Sequence, residues 1–178
     1  MGFRSKEGME VHVVWGSILS ADTHAIVNAA NSTGAMGRGV AAAIRRACGD
    51  EVEQEARQQA PIPVGGAVLT SAGKTRFRGV IHAPTMPEPG VKIPAENVAI
   101  ATKAALTLAD EKGFHSVALP GMGTGSGGLA QAESAKIMLQ EINAYTPSTL
   151  RSVTLADVDS LMVEAWQSVI KELGIGKS

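Results

Sequence analysis

A glycine-rich segment follows directly on an apolar run that ends at Leu119, and this segment constrains the fold most: Pro120-Gly121-Met122-Gly123-Thr124-Gly125-Ser126-Gly127-Gly128. Five of the eight residues from 121 to 128 are glycine. Glycine has no Cβ, so its backbone can adopt positive φ and approach a ligand closely, and successive N–H groups can point at one anion. The pattern is typical either of a phosphate-binding loop or of a tight turn from strand to helix. It is not a Walker loop, because no Gly-Lys-Ser/Thr ends it.

Length, charge and composition limit the class of protein. At 178 residues the chain fits one domain with a sizeable core. A net charge of −1 and an aromatic content of 3% provide neither a basic field nor many stacking side chains, so direct nucleic-acid binding is not expected. No apolar run is long enough to span a bilayer, and no membrane partner is expected. Cys48 is the only cysteine, which predicts a reducing, cytoplasmic location, and no metal site is expected.

Short β-branched runs alternate with helix-forming segments along the chain. The predicted strands are Val11–Trp15, Ala25–Val27, Ala67–Thr70, Val80–Ala83, Ser116–Leu119 and Arg151–Leu155. The predicted helices are Val40–Cys48, Asp50–Gln59, Pro94–Lys112, Leu129–Tyr145 and Ser160–Leu173. This alternation predicts a mostly parallel sheet covered by helices on both faces, with ligands bound beyond the carboxyl ends of the strands.

Two segments are predicted to lie outside regular structure. Residues 1–10 are polar and contain glycine, so they are predicted to form a flexible extension before a single domain over residues 11–178. The segment from Pro84 to Gly90 contains three prolines, which remove N–H donors and fix φ, and it is predicted to be a surface loop.

Another polar, glycine-rich loop is predicted earlier in the chain, from Asn28 to Gly39, again just before a helix. A carboxamide both donates and accepts hydrogen bonds, so Asn31 could hold a ribose hydroxyl. Asparagine also ties loops through bonds from its side chain to the backbone, and this is the preferred interpretation for Asn28. Both alternatives stay open for Asn31, with ligand binding preferred.

The order of these residues resembles the macro domain family of ADP-ribose-binding modules. The resemblance covers about Val11 to Leu173 and rests on four segments: Gly16-Ser17-Ile18, Ala25 to Asn31, Gly37-Arg38-Gly39-Val40, and Leu119 to Gly128. It implies a three-layer α/β/α sandwich around a central mixed, mostly parallel sheet. It also implies that the partner is ADP-ribose or an ADP-ribosylated macromolecule, and that no cofactor is needed.

The resemblance implies roles for residues at matching positions. Ile18 lies at the adenine end of the ligand, and Asn31 lies at the terminal ribose. The diphosphate lies between two walls: Gly37, Gly39 and Val40 on one side, and Gly123, Thr124, Gly125, Ser126 and Gly127 on the other. Gly121 and Met122, which lead into the second wall, are also candidate ligand-binding residues. Arg38 interrupts the family's glycine run, and it could contact phosphate or point to solvent.

Several residues depart from the family pattern. Ser17 replaces an aspartate that accepts from the adenine amino group, and Asp157, after the last predicted strand, could approach the base instead or cap a helix. Gly127 replaces a frequent aromatic residue, so the ribose end should be open. Ala41 stands where the hydrolase branch has an aspartate, and a methyl group cannot activate water. His82 follows a strand, where a hydrogen-bonded structural histidine is more common than a catalytic one.

These observations predict a protein that binds ADP-ribose or ADP-ribosyl groups between two glycine-rich loops. The protein could also hydrolyse an ADP-ribosyl linkage or O-acetyl-ADP-ribose. The candidate catalytic residue is then Asn31, which would position a water molecule together with the diphosphate. A non-catalytic reader of ADP-ribose is one alternative. A pocket shifted to another phosphorylated metabolite is the other.

Overall fold

The computed structural model describes residues 2–173, which form seven strands and five α-helices. The strands are β1 (Gly2–Arg4), β2 (Glu10–Trp15), β3 (Ala25–Asn31), β4 (Val68–Thr70), β5 (Gly79–Met86), β6 (Ser116–Leu119) and β7 (Ser152–Asp157). The α-helices are α1 (Gly39–Cys48), α2 (Glu51–Gln58), α3 (Glu96–Glu111), α4 (Gln131–Ala144) and α5 (Ser160–Glu172), and a short 3-10 helix spans Ile18–Ser20.

All seven strands belong to one sheet, in the order β1-β2-β7-β6-β3-β5-β4. The short outer strands β1 and β4 are antiparallel to their neighbours, whereas β2, β7, β6, β3 and β5 run parallel to one another. The predicted mixed, mostly parallel sheet is therefore confirmed. The carboxyl ends of the five parallel strands meet at one edge of the sheet, which we call the carboxyl edge.

Two hydrophobic clusters fill the space on the two faces of the sheet. Alternate side chains of a strand point to opposite faces. Thus Ile26 packs in the cluster that contains Ile44 of α1, and Val27 packs in the cluster that contains Leu106 of α3. Helices α4 and α5 contribute to the second cluster, which gives the three layers of an α/β/α sandwich. Cys48 is buried in the first cluster, where its thiol has a packing role.

The prediction of a flexible extension is wrong for residues 2–10. β1 pairs with Glu10 to His12 of β2, and the side chains of Phe3 and Met9 are buried in the core. The sequence gives little signal for such a short strand, because its flanking residues are polar and exposed. Its pairing with β2 covers part of an otherwise free sheet edge.

Three strands extend further toward the carboxyl edge than predicted, and one of them is β7, which ends at Asp157. β3 continues through Asn31, and β5 continues through Pro84 to Met86, so the segment predicted as a surface loop is partly strand. Proline fits here because β4 pairs with β5 only as far as His82, so no β4 carbonyl is left without a donor at Pro84. The register between β3 and β5 also shifts just beyond this point, between Ala30 and Asn31.

No helix within residues 2–173 combines the length and apolar character needed to cross a lipid bilayer.

Candidate functional site

A crevice of about 530 Å³ opens at the carboxyl edge between two loops. We call residues 32–38, between β3 and α1, the first loop, and residues 120–130, between β6 and α4, the second loop. This main crevice is lined by Ser17, Ile18, Ala29, Arg38, Gly39, Val40, Ala41, Ala43, Thr85, Met86, Pro120, Gly121, Gly123, Thr124, Gly125, Ser126, Gly127, Gln131, Ala156, Asp157, Val158 and Asp159. The two predicted glycine-rich walls therefore face one cavity.

A smaller hollow of about 160 Å³ adjoins the main crevice and shares Ala29, Arg38, Ala41, Met86 and Ser126 with it. Its remaining lining is small or apolar apart from one asparagine: Ala30, Asn31, Ala35, Gly37, Pro89 and Gly90. Together the two cavities are lined by every predicted site residue except Met122. The Met122 side chain is fully buried in the core, so its predicted place in the binding wall is wrong.

The second loop is fixed at both ends by hydrogen bonds. The Gly121 N–H donates to the Asp157 carboxylate (2.9 Å), which ties the loop to the end of β7. The Leu129 N–H donates to the Gly123 carbonyl (3.1 Å), and the Ile93 N–H donates to the Gly127 carbonyl (3.2 Å). The Gly125 carbonyl also accepts, from the Gly128 N–H (3.2 Å), so the loop is held mainly through its carbonyl groups.

Within the described chain, the backbone N–H groups of residues 123–127 donate to no backbone acceptor. Five successive donors at the wall of a cavity are the arrangement expected of an anion-binding nest. Gly123 has φ of 76°, and a Cβ on Gly127 would lie 2.6 Å from the Gly123 carbonyl oxygen, so these two glycines are required by the turn itself. Gly125 differs, because a Cβ there would meet nothing within 4 Å.

The first loop is held by side chains instead. The Asn31 carboxamide accepts hydrogen bonds from the N–H (2.9 Å) and the hydroxyl of Thr33, and it donates to the Ala35 carbonyl (3.1 Å). The Met36 N–H donates to the Glu53 carboxylate of α2 (2.6 Å). Asn31 therefore ties its own loop while it lines the small hollow, and its contact with a ribose stays a prediction.

Helix α1 begins at the crevice. Arg38 is its N-cap residue and makes no capping hydrogen bond through its side chain, and the first turn contains no acidic residue. The first N–H groups of a helix have no partner within the helix, and they form the positive end of its dipole. Gly39, Val40 and Ala41, which carry these groups, all line the main crevice.

The far end of the main crevice contains Ser17, Ile18 and the end of β7. The Ser17 hydroxyl accepts from the Leu19 N–H (3.1 Å), so it caps the 3-10 helix. The Asp157 carboxylate accepts from Gly121 on one oxygen and from the Asp159 N–H (2.9 Å) on the other. Capping of α5 is done by Asp159, not Asp157, so the helix-cap alternative for Asp157 is wrong.

Several residues at strand ends line the main crevice but are not among the predicted site residues. Thr85 and Met86 end β5, and Ala156, Val158 and Asp159 surround the end of β7. The position of these residues at strand ends is a signal that could have identified them, because in parallel sheets the ligand crevice forms at the carboxyl ends of the strands. The predicted strands end earlier, at Ala83 and Leu155, whereas β5 and β7 continue to Met86 and Asp157.

His82 has a structural role. Its side chain is fully buried, with Nδ1 3.1 Å from the Asn28 amide nitrogen and Nε2 2.9 Å from the Thr70 hydroxyl. Burial lowers the pKa of His82 from 6.5 to about 4, so the ring is neutral at physiological pH. It lines neither cavity. Among residues 2–173, no cluster of three His, Cys, Asp or Glu side chains has the geometry of a metal site.

Comparison with known proteins identifies the family. A family model described as Macro domain matches residues 27–138, well over half of the chain. A protein of Aquifex aeolicus is 54% identical over 162 residues, covering 91% of this chain and 98% of the relative. The chain belongs to the macro domain family. Some other curated relatives are longer, and this macro domain spans 66% of one from Aeropyrum pernix and 41% of one from Mycobacterium tuberculosis.

Solved macrodomains share the fold of this macro domain over nearly its whole length. A mutant of the Oceanobacillus iheyensis macrodomain with ADPR has a TM-score of 0.86 and 26% identity, covering 97% of each chain. The Trypanosoma brucei macrodomain in complex with ADP-ribose has a TM-score of 0.82 and 21% identity, covering 94% of this chain and 74% of that one. The predicted fold class and family are confirmed.

Proposed function

We propose that this protein binds ADP-ribose or ADP-ribosyl groups in the main crevice, with the diphosphate between the second loop and the start of α1. The observation that carries the proposal is the run of five backbone N–H groups, residues 123–127, without a backbone acceptor at the wall of that crevice. Macro domain homologues bind ADP-ribose, and the Oceanobacillus iheyensis protein carries ADPR.

The electrostatics of the crevice support an anionic ligand. The protein as a whole carries a formal net charge of −1, so its overall field does not attract a diphosphate. Backbone amides and a helix start can supply the needed positive ends locally, and they do so without the desolvation cost of several lysines. In this crevice the second loop provides the backbone amides, and the N-terminus of α1 on the opposite side provides the helix start.

The two ends of the site suggest an orientation for the ligand. The end with Ile18 and Val158 offers apolar surface on which a base can lie, and Ile18 is almost fully buried whereas Val158 is exposed. The small hollow at the other end contains Asn31 and can take the terminal ribose. The adenosine would then lie near the end of β7 and the terminal ribose near the first loop.

The lining of the small hollow favours a binding module over an efficient hydrolase. Among the described residues that line it, Arg38 is the only charged one, and no carboxylate or histidine is present. Ala41 provides only a methyl group. A general base has to reach the attacking water, so hydrolysis would depend on a water held by Asn31 and by the phosphates themselves. We therefore expect slow turnover or none.

Isothermal titration of the protein with ADP-ribose tests the binding proposal. We expect one site per chain, and saturation should raise the free energy of unfolding by about 2.7 kcal/mol at one hundred times Kd. Unmodified ribose, which lacks the diphosphate, is the negative control. Failure of ADP-ribose to bind or stabilise, with stabilisation by another phosphorylated metabolite in the same thermal-shift panel, would replace the proposal by the shifted-pocket alternative.

Turnover is measured separately, with an ADP-ribosylated protein as substrate. Tight binding of ADP-ribose without release of the modification supports a reader. Release at a rate that the Asn31→Ala variant abolishes, without loss of affinity, would instead establish hydrolysis and assign Asn31 to it.

A further inference from the structure

Arg38 occupies an unusual position in the site. It lies at the N-cap of α1, and among residues 2–173 it alone has a cationic side chain and lines both the main crevice and the small hollow. A Cβ on Gly90 would lie 3.2 Å from the Arg38 Nη1, so the guanidinium rests against the loop that follows β5. Gly90 itself lines the small hollow, so the guanidinium lies at that hollow and not away from it.

Arg38 has no ionic partner among the described residues, in contrast to its neighbours. Arg45 of α1 and Arg57 of α2 both pair with Glu53, at 3.5 Å and 3.7 Å, and Glu53 is also the acceptor for the first loop. The nearby carboxylate is thus committed to other groups. The carboxylates that line the main crevice are Asp157 and Asp159, at its far end, and both accept hydrogen bonds from backbone N–H groups there.

The placement of this cation is electrostatically unfavourable without an anion. The N-terminus of a helix carries the positive end of the dipole, and a cation there is destabilising by a few tenths of a kcal/mol or more. Free N–H groups of α1 and of the second loop add to the positive potential of the same cavity. A phosphate at the junction of the two cavities would offset the positive charge of Arg38 and the positive potential of the free N–H groups of α1 and of the second loop.

We propose that Arg38 binds the distal phosphate of the ligand, the one next to the terminal ribose, and thereby selects diphosphates over monophosphates. This inference rests on the proposed function and on its orientation of the ligand. A guanidinium can bind phosphate oxygens through two parallel N–H donors, which adds geometric selectivity to charge. The backbone nest of the second loop then binds the diphosphate from one side, and Arg38 binds it from the other.

The test compares three variants by titration with ADP-ribose, ADP and AMP, at about 50 mM and about 300 mM salt. Arg38→Gln removes the positive charge and the paired N–H donors of the guanidinium, and Arg38→Lys keeps only the positive charge. Arg46→Gln is the matched control, because it removes the same charge from the exposed side of the same helix, about 12 Å further along. Thermal unfolding of each variant checks that α1 is intact.

We expect Arg38→Gln to weaken ADP-ribose and ADP by about tenfold or more, the usual loss for a hydrogen bond to a charged group, and to leave AMP unchanged. Its affinity should also depend less on salt than that of the unaltered protein. Arg38→Lys should recover part of the loss, and Arg46→Gln should change affinity by less than about twofold.

The result that overturns the inference is equal binding of ADP-ribose by Arg38→Gln and the unaltered protein, with the same salt dependence. An equal loss for AMP would also overturn it, because Arg38 would then not distinguish the distal phosphate. Both results leave the proposed function standing, since the unaltered protein still binds ADP-ribose. Absence of ADP-ribose binding to the unaltered protein removes the proposed function first, and this inference with it.

Discussion

The two loops that face each other across the crevice are both rich in glycine, but they achieve their shapes by different means. The first loop uses side chains: Asn31 bonds to Thr33 and Ala35, and Glu53 accepts from Met36. The second loop uses the positive φ of Gly123 and the lack of a side chain at Gly127, and its hydrogen bonds involve its carbonyl groups and the N–H groups of Gly121, Gly128 and Leu129. In consequence the first loop uses its polar groups internally, and the second leaves a run of backbone donors free.

This difference indicates a division of work between the loops. A loop whose carboxamide and hydroxyl groups are already bonded offers a ligand its shape, the α1 N-terminus and the Arg38 side chain. A loop with free amides offers the ligand the hydrogen bonds themselves. If this is correct, the same kind of change should weaken binding strongly in the second loop and weakly in the first.

Valine at Gly125 and at Gly37 gives the largest and most direct contrast. Neither glycine has positive φ, and a Cβ at either position meets nothing within 4 Å, so both substitutions should leave the fold intact. Gly125→Val fills the space in front of the free amides, and we expect at least a hundredfold loss of ADP-ribose affinity, about 2.7 kcal/mol. Gly37→Val should cost about tenfold at most, because Gly37 lines only the small hollow.

Isothermal titration measures both affinities, and thermal unfolding confirms that stability is unchanged. Equal losses would remove the distinction between the loops. Retention of full affinity by Gly125→Val would contradict the anion nest itself.

A third loop, which lies outside the crevice, separates stability from binding. Asp110 accepts hydrogen bonds from the N–H groups of Ser148, Thr149 and Leu150 and from the Tyr145 hydroxyl, and so holds the connection from α4 to β7. Burial alone would raise the pKa of Asp110, but these donors outweigh it and hold the pKa well below the ordinary value of 3.8. We expect Asp110→Asn to lower the free energy of unfolding by about 2 kcal/mol at neutral pH.

The sign of the pH dependence follows from the lowered pKa. The folded state favours the ionised carboxylate, so its contribution is present above pH of about 4 and is lost as the pH falls toward the folded-state pKa. Chemical denaturation from about pH 6 to about pH 2 should show a steeper loss for the unaltered protein than for Asp110→Asn. ADP-ribose affinity at neutral pH should be the same in both, and a large difference would mean that affinity follows global stability and not the two loops.

The smallest expected effect comes from Glu53→Gln, which loosens the first loop. The amide keeps the shape and one acceptor but loses the charge that attracts Arg45, Arg57 and the Met36 N–H. We expect a loss of about 1 kcal/mol in the free energy of unfolding, because one charge-assisted hydrogen bond becomes a neutral one. Affinity for ADP-ribose, measured by titration, should fall less than about threefold. A fall as large as that of Gly125→Val would assign the first loop the main share of binding.

Much of the fold was predictable from local patterns. Helix α1 ends at Cys48 before Gly49, and β6 spans Ser116–Leu119, both as predicted, because apolar periodicity and glycine stops are local signals. The strand β1 and the extension of β5 through Pro84 were not predictable in the same way. β1 is too short to have a pattern of its own, and Pro84 is tolerated in β5 because β4 pairs only as far as His82, although β3 still pairs with Pro84 at Ala30.

The candidate site was predictable as two loops but not as a set of working groups. Asn31 and Asp157 illustrate the limit, since both are polar residues at strand ends that looked free to bind a ligand. In the structure both side chains form hydrogen bonds to the backbone. Asn31, the last residue of β3, binds the first loop, and Asp157, the last residue of β7, binds Gly121 of the second loop. A sequence shows which side chains can form hydrogen bonds, whereas the position of other donors decides which bonds are made.

The sequence by itself determined the alternation of strands and helices, the family and the presence of two glycine-rich turns, because these depend on residue types and on short spacings. Only the tertiary structure decided that the two turns face one cavity, that the amides of residues 123–127 lack backbone acceptors, and that Arg38 lies between the two cavities without an acidic partner in the described chain. The physical reason is that a polar group stays without a partner only when no neighbouring residue in the folded structure supplies a donor, an acceptor or an opposite charge. Its surroundings come from β3, β5, β6 and β7, which are distant in sequence and adjacent only in the folded sheet.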